Sequence, residues 1–352
     1  MSYIDKLEEE VSILFGKFFL FSLAFFSVST SLYGSCSPMR LDREGGPLER
    51  MPVLDQGNLN ICYGYAVSQV IDAYRFSHGD KDFDHLTSPV AVSVYYSAEK
   101  EKDSIEYGKT EDAILSVLES GSCKHSTIYR EVGQVDFKEY FEELEDYFDD
   151  FKNLGSRGSF FGFFKPKTPN ELGSDLQCFI YEQGAAREVV PGLEEVLNAL
   201  KSSTKLEYLK ELFNALCKKN KKELRFKPKQ HTKYARDFSP KDRTEGVFNS
   251  IHDAWETSNP QPVAISFCED FLYRKGHVGV DKQGKVSSRC RTHHASIVVG
   301  RRPSKDGKTC QFLVRNSKGD SCNSYDWECE NGQVWVDQEA LGRNIYYTTW
   351  LE

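Results

Sequence analysis

Apolar positions recur at helical spacing through roughly the first two thirds of the chain and at alternate positions through the last third. After the polar run "DQGNLNI", the segment "CYGYAVSQVIDAYRF" sets Ala66, Val70 and Ala73 on one face, with Tyr63, Val67 and Tyr74 beside it, and predicts a helix over 62–76. "LTSPVAVSVYYSAEK" gives a second helix or an extended segment from Pro89, and "TEDAILSVLES" a third helix stopped by Gly121. The stretches "VDFKEYFEELEDYFDDFKNL", "PGLEEVLNALKSS" and "KLEYLKELFNALCKKNKKELRF" continue the helical pattern, with Pro191 at a start position. From about Gln261 the period becomes two. "PVAISF", "HASIVVG", "CQFLVRNS", "GQVWVD" and "NIYYTTWL" are predicted strands with turn residues between them. Helices followed by strands imply an α+β chain with segregated lobes.

The N-terminus carries an apolar run at 18–28, "FFLFSLAFFSV", and then the small and polar "STSLYGSCS". That is the layout of a signal peptide, expected over 1–35. The acidic "MSYIDKLEEE" does not suit such a segment, which points to a start near Val11 with Lys17 as the flanking charge. Two alternatives stay open: 14–33 retained as a membrane anchor, or Cys36 as a lipid-modified first residue, although Tyr33 fits the lipidation pattern poorly. The expected location is secreted or periplasmic, with no stable membrane insertion after signal removal. Beyond it the pattern divides into an N-terminal helical lobe (36–130), a helical insertion (131–255) and a C-terminal β lobe (256–352).

Composition narrows the classes. With 45 basic and 53 acidic residues the chain is mildly acidic, which argues against nucleic acid as a partner. A hydrophobic content of 39% marks a folded protein. Ten cysteines are many for a reduced cytosolic enzyme and suit an oxidising compartment. An acidic block, 131–150, holds nine acidic residues and one lysine, and the block 201–245 holds fourteen basic and six acidic residues. Mutual pairing or solvated faces is the plain expectation, a polyanion or partner site the sharper one.

Cys62 stands after a turn-like run and heads its helix, where the positive end of the helix dipole favours thiolate; Asn58 or Asn60 is a candidate cap. A nucleophilic thiol needs a base and a group to orient that base. His294, at the head of a strand, is the best-placed base and His277 the second. "SIVVG" and "CQFLVRNS" flank a loop with an Asp306-Gly307 turn signal, and folding the chain about the middle of "SKDG" sets residue 294 opposite residue 317, with Asn316 one position away. Adjacent His293 and His294 would point to opposite faces of a strand and chelate poorly, and no metal-ligand spacing accompanies them. No metal or cofactor is expected. The chain also has no G-x-S-x-G serine elbow.

These three segments together resemble the papain-like cysteine proteases, peptidase family C1, as a bacterial-type member without a long propeptide. Gln56, Gly57, Cys62, Tyr63, Gly64 and Tyr65 match the Gln-Gly and Cys-aromatic-small-aromatic pattern, with the family's Gln-to-Cys spacing of six. His294, Ala295 and "SIVVG" match the His segment, and "LVRNSKG" around Asn316 matches the Asn segment, in the same chain order. The departures are Lys318 in place of the usual Trp over the Asn–His contact, with Trp327 a candidate replacement, and Leu59-Asn60-Ile61 in place of Cys-Gly-Ser. The resemblance covers roughly 51–120 and 260–352.

The resemblance implies a two-lobe fold, with Cys62 on the helical lobe and His294 and Asn316 on an antiparallel, barrel-like β lobe. It implies cleavage of a protein or peptide substrate through a Cys62 acyl-enzyme, His294 as base and acid, Asn316 orienting it, and Gln56 with the Cys62 N–H holding the oxyanion. The alternatives are an inactive binding protein on the same fold, or a Cys–His amidase or transferase. Control is expected from a separate protein inhibitor, from export, or from the insertion shielding or shaping the cleft. The eight cysteines Cys123, Cys178, Cys217, Cys268, Cys290, Cys310, Cys322 and Cys329 are enough for four disulfides, with Cys322–Cys329 and Cys268–Cys290 as local pairs and the rest not fixed by sequence.

Overall fold

The protein is described here by a computed structural model, which covers residues 36–128, 137–154, 167–183, 189–224, 228–239 and 242–352. The expected signal segment, including the 14–33 run, lies outside the described residues. Among those described, no helix is long and apolar enough to cross a membrane. The longer helices are α1 (Cys62–Ser77), α2 (Pro89–Glu99), α3 (Thr110–Ser120), α4 (Phe137–Lys152), α5 (Pro169–Glu182), α6 (Leu193–Leu200), α7 (Lys205–Cys217) and α8 (Arg243–Trp255). The strands are β1 (Met39–Arg40), β2 (Ser122–Cys123), β3 (Lys221–Lys222), β4 (Gln230–Tyr234), β5 (Val263–Cys268), β6 (His293–Pro303), β7 (Cys310–Arg315), β8 (Glu328–Glu330), β9 (Gln333–Asp337) and β10 (Ile345–Leu351).

α1 is buried on every side from Tyr63 to Phe76, so its apolar and small residues serve several neighbours at once: β6 on one side, α2 and α3 on the other. The charged residues on it are paired internally. Arg75 donates to Asp72 at 2.7 Å, and the Thr87 N–H and hydroxyl complete that carboxylate's partners. Ser88 caps α2 by accepting the Ala91 N–H, with Pro89 at the first helical position, which settles that segment as a helix. α3 stops at Gly121, whose φ of +79° ends the helical backbone.

The β lobe is one antiparallel sheet in the order β4-β10-β5-β6-β7-β9-β8, with β1 paired to β6. The fold is thus α+β in two lobes, as the pattern predicts. The β6–β7 hairpin pairs Pro303 with Cys310 at its turn and Ile297 with Arg315 at its far end. A bulge between Val298 and Gly300 absorbs one position. Extending the far register sets residue 294 opposite 318 rather than 317. The turn is centred on Asp306-Gly307, one residue later than the middle of "SKDG", since Ser304 is closed by Thr309, as Pro303 is by Cys310.

The segment 131–255 is not a helical insertion throughout. β4 is an edge strand on β10, and α8 also packs on β10, so both belong to the β lobe. What remains, α4 to α7 with β3, lies on the helical lobe, with α7 against α2. α5 escaped the pattern reading, although Thr168 and Glu171 form a capping box ahead of it and Pro169 starts it. The helix expected to run through Lys221 stops at Cys217, because 221–222 pairs as β3 with β2. Acidic and basic blocks do meet: Lys205 of α7 lies 3.3 Å from Glu145 and 2.8 Å from Asp149 of α4.

Four disulfides are formed: Cys36–Cys310, Cys123–Cys217, Cys268–Cys290 and Cys322–Cys329. The two local pairs match expectation. The set of eight does not: Cys36 is bonded and Cys178 is free and exposed. The Cys36 sulfur is therefore engaged and not open to a lipid thioether. Four bridges suit an oxidising environment.

Candidate active site

Cys62 is the first residue of α1 and, unlike the eight bridged cysteines, is a free thiol. The position before it is Ile61, which makes no side-chain cap, so neither Asn58 nor Asn60 is the N-cap. Asn60 instead turns to the opposite wall, donating to Glu106 Oε1 at 3.2 Å and to Tyr107 Oη at 3.1 Å. First-turn N–H groups have no partner inside their helix, so the Cys62 N–H stays available at the mouth of the site. Leu59 and Ile61 are buried and fix the loop to the core.

β6 presents its residues alternately, so His294 is buried while His293 faces out. His294 Nε2 lies 2.6 Å from Asn316 Oδ1. That oxygen also accepts from Ser296 Oγ at 3.0 Å and from the Ser317 N–H at 2.8 Å. Because Asn316 Nδ2 donates to Tyr325 Oη at 2.9 Å, the amide is held with its oxygen toward the ring. Nε2 must then be the donor, and Nδ1 is left for the Cys62 thiol, whose electrostatic interaction with the ring shifts both groups. His277 is not part of this group. It lies beside Cys268, its Nε2 3.5 Å from the sulfur.

Electrostatics favour the ion pair. Burial works against a charged thiol, but the His294 imidazolium outweighs it by charge and hydrogen bond, the Ala295 N–H assists, and the Cys62 pKa falls below that of an ordinary thiol. Burial likewise opposes the imidazolium, and the thiolate outweighs it, helped by Glu269 and Asn316, so the His294 pKa rises. Glu269 is buried, with Oε1 3.9 Å from His294 Nε2, and accepts from the Tyr273 hydroxyl at 2.9 Å.

Gln56 is 3% exposed and pinned at both ends of its amide. Ser317 Oγ donates to its Oε1 at 2.6 Å, and its Nε2 donates to the Leu59 carbonyl at 2.8 Å, leaving a second N–H at the cleft. Gly57, at φ +56°, turns the chain sharply after it. Lys318 is among the residues lining the cleft, and its backbone bridges Asp55. The contact that a Trp would cover is covered by Tyr325 and by Phe267, whose ring meets His294 edge-on at 5.6 Å. Trp327 packs edge-on against Phe271, and its indole N–H donates to the Phe271 carbonyl. With His294 6% and Asn316 0% exposed, the contact is dry despite Lys318.

The four residues singled out in the sequence therefore sit together on a cleft of about 590 Å³ between the lobes, with Asn316 just behind its wall. Among the described residues, none of 137–255 lines it. Sequence reasoning missed Glu269, Tyr325, Ser317 and Ser296. Only Ser296 carried a signal, two positions from His294 and so on the same strand face. Among the described residues one other grouping has metal-type ligands, Cys268, Asp270 and Cys290, and its two sulfurs are joined in a disulfide.

No family model matches the chain, and no curated protein matches it in sequence. Among solved structures it is similar to SERA5E from Plasmodium falciparum at 14% identity and a TM-score of 0.48, covering 90% of this chain and 95% of that one. It is similar to xylellain, a cysteine protease from Xylella fastidiosa, at 12% identity and a TM-score of 0.43, covering 90% and 85%. A structure concerned with the mite allergens Blo t 1 and Der p 1 gives 13% and 0.45, covering 92% and 73%. At those values the likeness says nothing about activity, and the chemistry is read from the site's own atoms.

Proposed function

We propose that the chain is an exported papain-like cysteine endopeptidase that hydrolyses peptide bonds through Cys62. The observation that carries this is the His294 ring, held on one side by the buried Asn316 carbonyl and sharing its cleft with a free thiol at a helix start that it couples to by charge. The thiolate attacks the peptide carbonyl carbon. The carbonyl oxygen gains the negative charge, with the Gln56 Nε2–H and the Cys62 N–H as its donors, a contribution of about 3–4 kcal/mol per good donor. The imidazolium then gives its proton to the leaving nitrogen as the C–N bond breaks. Neutral His294 next takes a proton from water, which attacks the thioester and releases the acid and the thiolate. Asn316 keeps the ring in one orientation through both halves.

The test is peptide-library cleavage by purified protein, with Cys62→Ala as control and a peptidyl epoxide as label. Cleavage and labelling that both vanish in Cys62→Ala support the proposal. An intact chain that binds peptides but is neither labelled nor active is a binding protein. Peptide transfer to added amines in preference to water identifies a transferase.

A further inference from the structure

The chain carries a formal net charge of −8, yet its cleft is lined by cations. Lys109 and Arg291 are exposed on opposite walls, one on the loop before α3 and the other just before β6, and half-exposed Lys318 lies beside Gln56. None of the three is in an ion pair with a described carboxylate. The one carboxylate among the lining residues is Glu269, which is buried and bonded to the Tyr273 hydroxyl. The acidic neighbours of the rim are turned onto donors of their own. Asp270 accepts the Arg291 and Thr292 N–H groups, and Glu106 accepts from Asn60. An extended peptide lying over Cys62 would thus meet three basic side chains outside any described ion pair, while the carboxylates nearest the rim, Glu269, Asp270 and Glu106, keep their charge but are each oriented by neutral donors.

From this arrangement we infer that the cleft selects acidic peptides, with Asp or Glu side chains within a few residues of the bond that Cys62 attacks. This rests on the peptidase reading for the bond cleaved, but the charge preference itself stands on the lining residues. A low-dielectric wall behind exposed cations focuses their field, so the preference acts on association as well as on the bound state. Each exposed pair is weak alone, and two or three together give about a fivefold preference at low salt. Screening at physiological ionic strength, with a Debye length of about 8 Å, reduces it.

The experiment compares kcat/KM for matched peptides carrying Glu, Gln or Lys at each position around the cut, at low and high salt. In parallel, the same peptides are bound to Cys62→Ala and followed by fluorescence anisotropy. The expected result is Glu over Gln over Lys at one or more positions, with the gap closing as salt rises. In the double variant Lys109→Glu/Arg291→Glu the Glu-to-Lys ratio, read within one protein, inverts. Equal rates and affinities for Glu and Gln peptides in the unaltered chain overturn the inference, as does a ratio that the double variant leaves in place. Absence of turnover with a retained Glu preference in binding sinks the peptidase reading alone and leaves the acidic-ligand site standing.

Discussion

Glu269 bears on two protonation equilibria at once. Its carboxylate stabilises the imidazolium and disfavours the thiolate, so it raises the pKa of both His294 and Cys62. The reactive pair exists between the acid limb, where the thiol takes up a proton, and the alkaline limb, where the ring loses one, and the limbs belong to the pair as a unit. Removing the negative charge in Glu269→Gln lowers both values. Both limbs of the kcat/KM profile are therefore expected at lower pH, together, with the plateau width little changed. The pH dependence of Cys62 alkylation should show the same displacement of the acid limb without any substrate. Limbs that stay in place would mean that Tyr273 and solvent screen the carboxylate from the ring. Glu269 was not legible in the chain, because a lone acid after a strand has no pattern. It becomes relevant only when the end of β5 is laid beside the head of β6, Phe267 opposite His294. Cys62 and Gln56 were legible because their spacing is local, and Asn316 because one hairpin joins it to His294.

At the scale of elements, the site depends on how closely α1 and α2 approach. A Cβ on Gly64 would come within 2.4 Å of Ser93 Oγ and 2.5 Å of the Pro89 carbonyl oxygen. The second contact is backbone in the first turn of α2, so no rotamer change relieves it. Gly64→Ala is expected to lower stability by about 1–3 kcal/mol, the usual cost of overpacking. It should also lower kcat/KM, since α1 carries Cys62 at its end and must shift. Thermal unfolding and kinetics on one preparation check both, and shortening Ser93 to Gly should restore little, because the Pro89 carbonyl remains. The sequence pattern marked α1, α3 and the long strands well, since their apolar period runs over many residues, and it left α2 open between a helix and an extended segment. It missed α8 and β4, where burial is shared among neighbours remote in sequence. It also misjudged the hairpin register, because the turn centres one residue later than the middle of "SKDG", and the bulge at Val299, which leaves no mark in a polar–apolar alternation, takes back only one of the two positions.

Over the whole molecule, the two lobes are joined at the site itself. The Gln56 N–H donates to the Ser317 carbonyl at 3.0 Å, the Gly319 N–H to the Leu54 carbonyl at 3.2 Å, and Arg315 to the Met51 carbonyl at 2.8 Å. The loop before the nucleophile is thus stitched to the segment that orients the base, and the catalytic geometry needs no help from 137–224. That segment is instead fastened to the far side of the helical lobe by the β2–β3 pair and the Cys123–Cys217 bridge, which closes a sequence separation of 94. Replacing both cysteines by serine releases a large loop in the unfolded chain and should cost about 4–5 kcal/mol. Because neither cysteine nor any described residue between 124 and 216 lines the cleft, kcat/KM measured well below the melting temperature should stay unchanged. A rate that falls in a variant still folded by circular dichroism would show that the insertion acts on the cleft through α2 and α7. An unchanged rate with the expected loss of stability would separate the two halves of the design, chemistry held by the lobe junction and endurance supplied by the bridge.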